Sequence, residues 1–345
     1  MELKDFINSK QIALYIENLP KNNTIDNLLF PVTKQLSTEI EIAKGANQKP
    51  VALKLSTFDT AAKVRALKAE VSVEKKEMPF FKEAIGIKEK DRRDLILAKN
   101  SNNKEMVEFL VQNVFNNYAS LVAGADIQAT RMRAQLLQKG QINISTNDGD
   151  IVVDYKVPDN HKEVLAGSSK WSDPKADIVG DIKRWQKVFV SEGKSKPDRM
   201  LLTELTFNYV TENEAITNEL KTRTLGEVIL TDEDYIKYLN KKLNIQIGFL
   251  SGSFINEESE SMNYYEDNLV TLIPKGHIGQ TIYSVTPEEF DKKYGSGKID
   301  TQIVKTGIAI TTMVKEDPIA VDTKVSQIVI PSFERADECF FATVN

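Results

Sequence analysis

The stretch KEMVEFLVQNVFNNYASLVAGADIQATRMRAQLLQKG, residues 104–140, carries apolar side chains at Val107, Leu110, Val114, Tyr118, Leu121 and Ala125, and Met132 and Leu136 renew the stripe. Spacings of three and four put these side chains on one face of an α-helix, and Gly140 is a natural C-terminal cap. At ~1.5 Å per residue such a helix is on the order of 50 Å long, well beyond the usual three or four turns. No heptad with flanking charge pairs is sustained, so the pattern predicts a single helix lying along a sheet, not a coiled coil.

Immediately downstream the period changes to two. QINISTNDGDIVVDYKV, residues 141–157, reads as two strands around Asn147-Asp148-Gly149, because Asn and Asp tolerate left-handed backbone and Gly adopts it freely. Upstream, VALKLSTF (51–58) and VRALKAEVSVEKKE (64–77) also read as strands. In the second, Ala69, Val71 and Val73 alternate with Lys68, Glu70, Ser72 and Glu74. A ribbon this polar does not fit the middle of a core, and an isolated hairpin is at best marginally stable in water. It therefore belongs at an edge, in a two-stranded arm, or against another subunit. The pair Phe80-Phe81 is expected to anchor its base, and the mixed charges of KEKDRRDLILAK (88–99) read as a salt-bridged surface. Pro20, Pro31 and Pro50 break up residues 1–50, which are expected to form an irregular arm with short helical pieces.

Both tryptophans fall in WSDPKADIVGDIKRW, residues 171–185. Asp173 before Pro174 has the form of a helix N-cap with proline at the first helical position, predicting a helix over about 174–191. Ile178, Ile182 and Trp185 then share a buried face, and Trp171 is placed to pack back on the first turn as a staple. Beyond this helix, strands and helices alternate through RMLLTELTFNYV, ENEAITNELK, IQIGFLSG, NLVTLIPKG, IGQTIYSV and TPEEFDKKYG. The chain ends strand-rich, in GIAITTMVKED, PIAVDTKVSQIVIPSF and ECFFATV.

The 345 residues are 41% hydrophobic, enough for an ordinary core, and 45 basic against 50 acidic residues give a net charge of -5. That balance offers no general attraction to phosphate backbones. The single cysteine, Cys339, reads as a small buried apolar residue. The N-terminus lacks the pattern of a signal peptide, and no apolar run approaches the ~18 residues of a membrane span, so a soluble protein of the cytoplasm is expected. The two histidines, His161 and His277, have no metal-ligand spacing around them and read as solvated loop residues. GSGKI (295–299) lacks both the earlier glycine and the final Ser or Thr of a phosphate loop. The carboxylates of NEESESMNYYED (256–267) and TDEDY (231–235) lack the calcium-loop pattern and read as solvated loop or helix start, with Tyr264 and Tyr265 packed beneath. No catalytic, metal or cofactor site is predicted.

Three stretches, VSVEKKEMPFFKEAIGIKEKDRRDL (71–95), WSDPKADIVGDIKRW (171–185) and VIPSFERADECFFATVN (329–345), together with the order of elements, resemble the major capsid proteins of tailed bacteriophages, in particular the lambda-like coat family. The middle stretch matches that family's Trp-Ser-Asp-x-x-Ala-Asp pattern leading into a helix. The resemblance implies the Hong Kong 97-type fold of the α+β class. Residues 1–50 are then the N-terminal arm and 51–87 an extended β-hairpin loop lying on a neighbouring subunit. Residues 88–174 are a peripheral domain with the spine helix at 104–140, 175–325 are mainly an axial α/β domain, and 326–345 hold the C-terminal strand returning to the core. It further implies self-assembly through pentamers and hexamers into an icosahedral shell, with Lys54, Arg65, Lys68, Glu70 and Glu74 as candidate subunit-interface residues. Scaffolding, portal and possible decoration proteins would be partners, double-stranded DNA would be held by enclosure only, and no cofactor or membrane is implied. The product would reside in the virion capsid, assembled in the host bacterial cytoplasm. Same-fold encapsulin-like compartments are the alternative; a small-molecule α/β enzyme and a tail-tube protein are weaker ones, the latter because of the long spine helix.

Overall fold

A computed structural model describes residues 8–19, 24–43, 73–87, 89–101, 104–146, 149–222, 229–315 and 320–345. The N-terminal segment holds α1 (Ser9–Glu17), α2 (Ile25–Leu29), β1 (Val32–Gln35) and β2 (Glu39–Ala43). The expected short helical pieces are there, but the segment does not behave as an irregular arm. Ile12, Ile16, Leu29 and Phe30 are buried in the core, and β1 runs parallel to a strand of the main sheet. Among the described residues Pro31 does not keep the segment off the body, because its apolar side chains find a sheet and a helix to cover them.

After β3 (Val73–Glu77) and β4 (Phe80–Ile87) come α3 (Glu89–Asn100) and the long helix α4 (Lys104–Lys139). From Tyr118 onward the predicted stripe is buried, whereas Val107, Leu110 and Val114 are half-buried. Gly140 ends the helix at φ +67°, where its N–H still reaches Leu136 O at 3.0 Å; a Cβ there would strike Val157. β5 (Gln141–Thr146) and β6 (Gly149–Asp154) form the predicted hairpin, paired from Gln141↔Asp154 to Thr146↔Gly149.

The short strand β7 (Lys162–Val164) leads to α5 (Ile178–Glu192), then β8 (Arg199–Leu202), α6 (Glu204–Thr211), α7 (Glu214–Thr222) and α8 (Asp232–Leu243). Next are β9 (Gln246–Phe249), the ribbon β10 (Ser253–Ile255) and β11 (Ser261–Asn263), β12 (Leu269–Ile273), β13 (Gln280–Ser284) and α9 (Pro287–Tyr294). The chain closes with β14 (Asp300–Val304), β15 (Ile308–Lys315), β16 (Ala320–Ser332) and β17 (Phe340–Thr343). Helix α5 starts four residues later than Asp173-Pro174 predicts. Asp173 instead closes a turn, its carboxylate accepting the Lys175 N–H at 2.9 Å, and Asp177 is the cap, accepting the Gly180 N–H at 2.8 Å.

Two sheets organise two hydrophobic cores. In the six-stranded sheet the order is β1-β13-β16-β15-β14, with β4 also paired to β16. The thirteen-residue β16 is long enough to take β13 and β15 end to end along one edge and β4 along the other. This sheet, α4, the N-terminal segment and the β5–β6 hairpin share the first core. The five-stranded sheet, β7-β17-β12-β8-β9, with α5, α6, α7 and α8, encloses the second. These cores cut across the expected boundaries at 174 and 325. Leu165 and Trp171 belong to the second core, while β13 to β16 belong to the first, because sheet partners far apart in sequence decide which core a strand joins.

Candidate assembly interface

Of the ribbon expected over 51–58 and 64–77, residues 51–72 lie outside the described residues, and the remainder, β3, is rooted firmly through β2 of the N-terminal segment. β2 and β3 pair antiparallel from Glu39↔Glu77 to Ala43↔Val73. The next residue, Met78, is buried, with its N–H on Thr38 O at 2.8 Å, and Pro79 O accepts the Val329 N–H at 3.3 Å. β4 then runs along β16 over Phe80↔Ile328 to Ile87↔Val321. Of the expected aromatic anchor only Phe81 packs on the core; Phe80 is 40% exposed, with the Lys82 ammonium 5.6 Å from its ring centre. Strand alternation sends neighbours to opposite faces, so one ring of the pair had to face outward. Of the candidate interface residues, Glu74 lies in β3 opposite Ile42, while Lys54, Arg65, Lys68 and Glu70 fall outside the described residues.

The tryptophans are scaffold. Trp171 and Trp185 are fully buried and stack at 5.7 Å and 22°, and Trp185 stacks in turn on Phe340 of β17 at 5.3 Å and 21°. Each indole N–H has a carboxylate: Trp171 donates to Asp181 at 3.0 Å and Trp185 to Glu163. Arg184 bridges the two acceptors, at 2.8 Å from Asp181 and 2.8 and 2.9 Å from Glu163. Trp171 is thus the expected staple on the first turn of α5, and its own N–H binds Val344 O at 2.8 Å, so the same stretch clamps the chain's last strand. Burial raises the Asp181 carboxyl pKa, opposed by the hydrogen bonds from Trp171 and Arg184.

His161 is not the solvated loop residue its polar surroundings predict. It is fully buried, its ring 4.6 Å from Phe189, and its Nε2 sits 3.1 Å from each oxygen of Glu192. Burial lowers the imidazole's pKa against the opposing pull of Glu192. Glu192 is itself held down to about 2 by bonds from Lys194, Asn160 and His161 that outweigh its desolvation. No sequence pattern marks this, since Glu192 approaches from the far end of α5. His277 stays in its loop, Nδ1 2.9 Å from Leu28 O. Cys339 is buried, which pushes its thiol pKa far up.

The carboxylate clusters are divided by the fold. Thr231 and Asp234 form a capping box that opens α8, so TDEDY is a helix start. Asn256 to Glu260 is the turn of the β10–β11 ribbon, and Glu257 reaches Gln128 and Arg131 on α4 at 2.9 and 3.2 Å. Tyr265 is buried, and Tyr264 stacks on Phe254 at 4.8 Å. Among the described residues no group of His, Cys, Asp and Glu could hold a metal ion, and no helix is long and apolar enough to cross a membrane.

The buried pair Arg133–Asp26, at 2.7 Å, ties the N-terminal segment to α4, with Thr281 and Thr130 completing the guanidinium's partners at 3.3 and 2.9 Å. Neither residue is legible as a site in the sequence, because they are 107 positions apart.

A long helix across a sheet, a rooted ribbon and a C-terminal strand returning to a second sheet define the Hong Kong 97-type coat fold. The chain is similar throughout to a crystal structure described as a capsid protein of a prophage of Escherichia coli CFT073, with a TM-score of 0.60, 12% identity, and coverage of 98% of this chain and 99% of that one. It is likewise similar to a phage-related protein from Bordetella bronchiseptica RB50, with a TM-score of 0.50, 10% identity and coverage of 97% of both chains. Comparison with curated proteins gave no match. The chain belongs to the phage major capsid protein E family, whose model matches residues 8–344. It is a shell-forming coat subunit of the phage virion, built to associate with copies of itself.

Proposed function

We propose that copies of this chain close as pentamers and hexamers into an icosahedral shell around double-stranded DNA, and that the protein has no catalytic role. The family match over residues 8–344 carries this reading. Of residues 51–87, the part before the root at Met78 is the loop that lies on a neighbouring subunit, with Lys54, Arg65, Lys68, Glu70 and Glu74 meeting its surface, whereas 80–87 belongs to the subunit's own sheet. The rigid root at Met78 and β4 supports that assignment, because a ribbon reaching for a neighbour needs a fixed base. The body of the first core, with α4 as spine, is the peripheral domain, and the body around the five-stranded sheet is the axial domain. Assembly takes place in the host bacterial cytoplasm with scaffolding and portal proteins as partners. DNA is retained by enclosure, in keeping with a net charge of -5 that does not favour a grip on phosphates.

Light scattering and negative-stain microscopy on the protein alone and co-expressed with its neighbouring genes test this. Closed particles, or pentamers and hexamers, are expected in at least one of the two. A monomer or dimer in both overturns the reading.

A further inference from the structure

Helix α9 is built inside out. Of its eight residues, Glu288 and Glu289 are buried, at 6% and 2% exposure, while Phe290 and Tyr294 are 57% and 63% exposed. The inward carboxylates are fully engaged: Glu288 with Lys324 and, at 2.9 Å, Ser326, and Glu289 with Lys34 at 2.7 Å and Lys293 at 2.8 Å. The outward rings lie 5.1 Å apart and form one aromatic surface on an anchored helix. Burying two carboxylates is costly even when they are paired, and an ordinary surface helix would turn its aromatics to the core instead. The inverted pattern fits a helix whose outer face is also covered, and aromatic side chains are enriched at the centres of protein interfaces. The rim of this face is basic, with Lys292, Lys293 and Lys298 exposed.

The complementary surface occurs on the same chain. On the face turned away from α4 the β10–β11 ribbon exposes Ile255, at 67%, paired with Ser261 and beside the exposed acids Glu258 and Glu260 at its turn. The two surfaces are on opposite sides of the six-stranded sheet. Gln327 of β16 reaches Ala125 O of α4 at 2.6 Å, whereas the adjacent Ser326 points to Glu288 of α9, and the ribbon turn is held by α4 through Glu257. They cannot meet within one molecule. We propose that the aromatic face of α9 docks the acidic β10–β11 turn of a second copy of this chain, a heterologous contact in which neighbouring subunits overlap. Opposite charge at the rim fixes the register, and the apolar centre supplies the affinity. The proposal rests on the coat-protein reading above.

The test uses the full chain co-expressed with its neighbouring genes. F290S/Y294S changes only exposed side chains, so its thermal midpoint should match that of the wild type while its particles are lost. Because Cys339 is buried, engineered cysteines report cleanly. S261C/S296C, made at two exposed serines beside the two surfaces, should give a disulfide ladder beyond the dimer on oxidation, with neither single variant doing so. Wild-type particle yield from F290S/Y294S, or assembled S261C/S296C particles without a ladder, overturns the contact and leaves the coat reading standing. A wild-type chain that forms no particles overturns both.

Discussion

At Trp185 one indole stacks between a partner ring and Phe340 while its N–H is held by Glu163. Trp185→Ala should cost about 3–5 kcal/mol, the usual range for removing a buried large aromatic, and should loosen β17 with it, read as a lower thermal midpoint and faster amide exchange over 340–343. Removing one partner of a buried ion pair costs a similar amount, about 3–5 kcal/mol, because the other charge stays in the core. Asp26→Ala, which strands Arg133, is therefore expected to destabilise the subunit strongly in denaturant titration, and Asp26→Ala with Arg133→Met to recover much of the loss. His161 responds to acid. Its folded pKa lies below the unfolded value of about 6.5, so the unfolded chain binds the proton more readily and stability falls as pH drops below about 6.5 toward the folded pKa. Glu192 has the opposite form, a carboxylate held down to about 2, and its contribution is lost only at lower pH, between its unfolded value and about 2. Thermal midpoints measured between pH 7.5 and 5 should decline for the wild type and decline less for His161→Phe.

Among the elements, α4 and the hairpin after it were the most legible, since their periods of 3.6 and 2 are strong and Gly140 separates them. The start of α5 was misread by one turn because two Asp residues, 173 and 177, both stand before apolar positions, and only backbone geometry chooses between them. Asp177→Ala should cost about 1 kcal/mol through the lost cap on Gly180, while Asp173→Ala, which breaks only a turn, should cost less in the same unfolding measurement. α9 was expected as one of the alternating elements, and nothing in TPEEFDKKYG says which way its acids face. They point inward because Lys34 and Lys324, distant in sequence, converge on them. The ribbon's root was foreseen as an anchored base, but which of Phe80 and Phe81 does the anchoring depends on strand register alone.

For the whole molecule, the charged ribbon is expected to act between subunits. Charge reversal at Lys68 and Glu70 together should impair particle formation more than the subunit's thermal midpoint; normal particles from the double reversal would remove the crossing ribbon from the assembly. The sequence by itself determined the element order from the long helix onward, the α+β class and the burial of the tryptophans, because these follow from periodicity, turn chemistry and local spacing. It also carried the likeness to phage coat proteins. Only the tertiary structure decided that β13 to β16 join the long helix while β17 crosses to the other sheet, that His161 is buried against Glu192, and that Arg133 pairs with Asp26. Each of these depends on partners brought together from far along the chain, and strand pairing and side-chain burial between such partners leave no local signal in the order of residues.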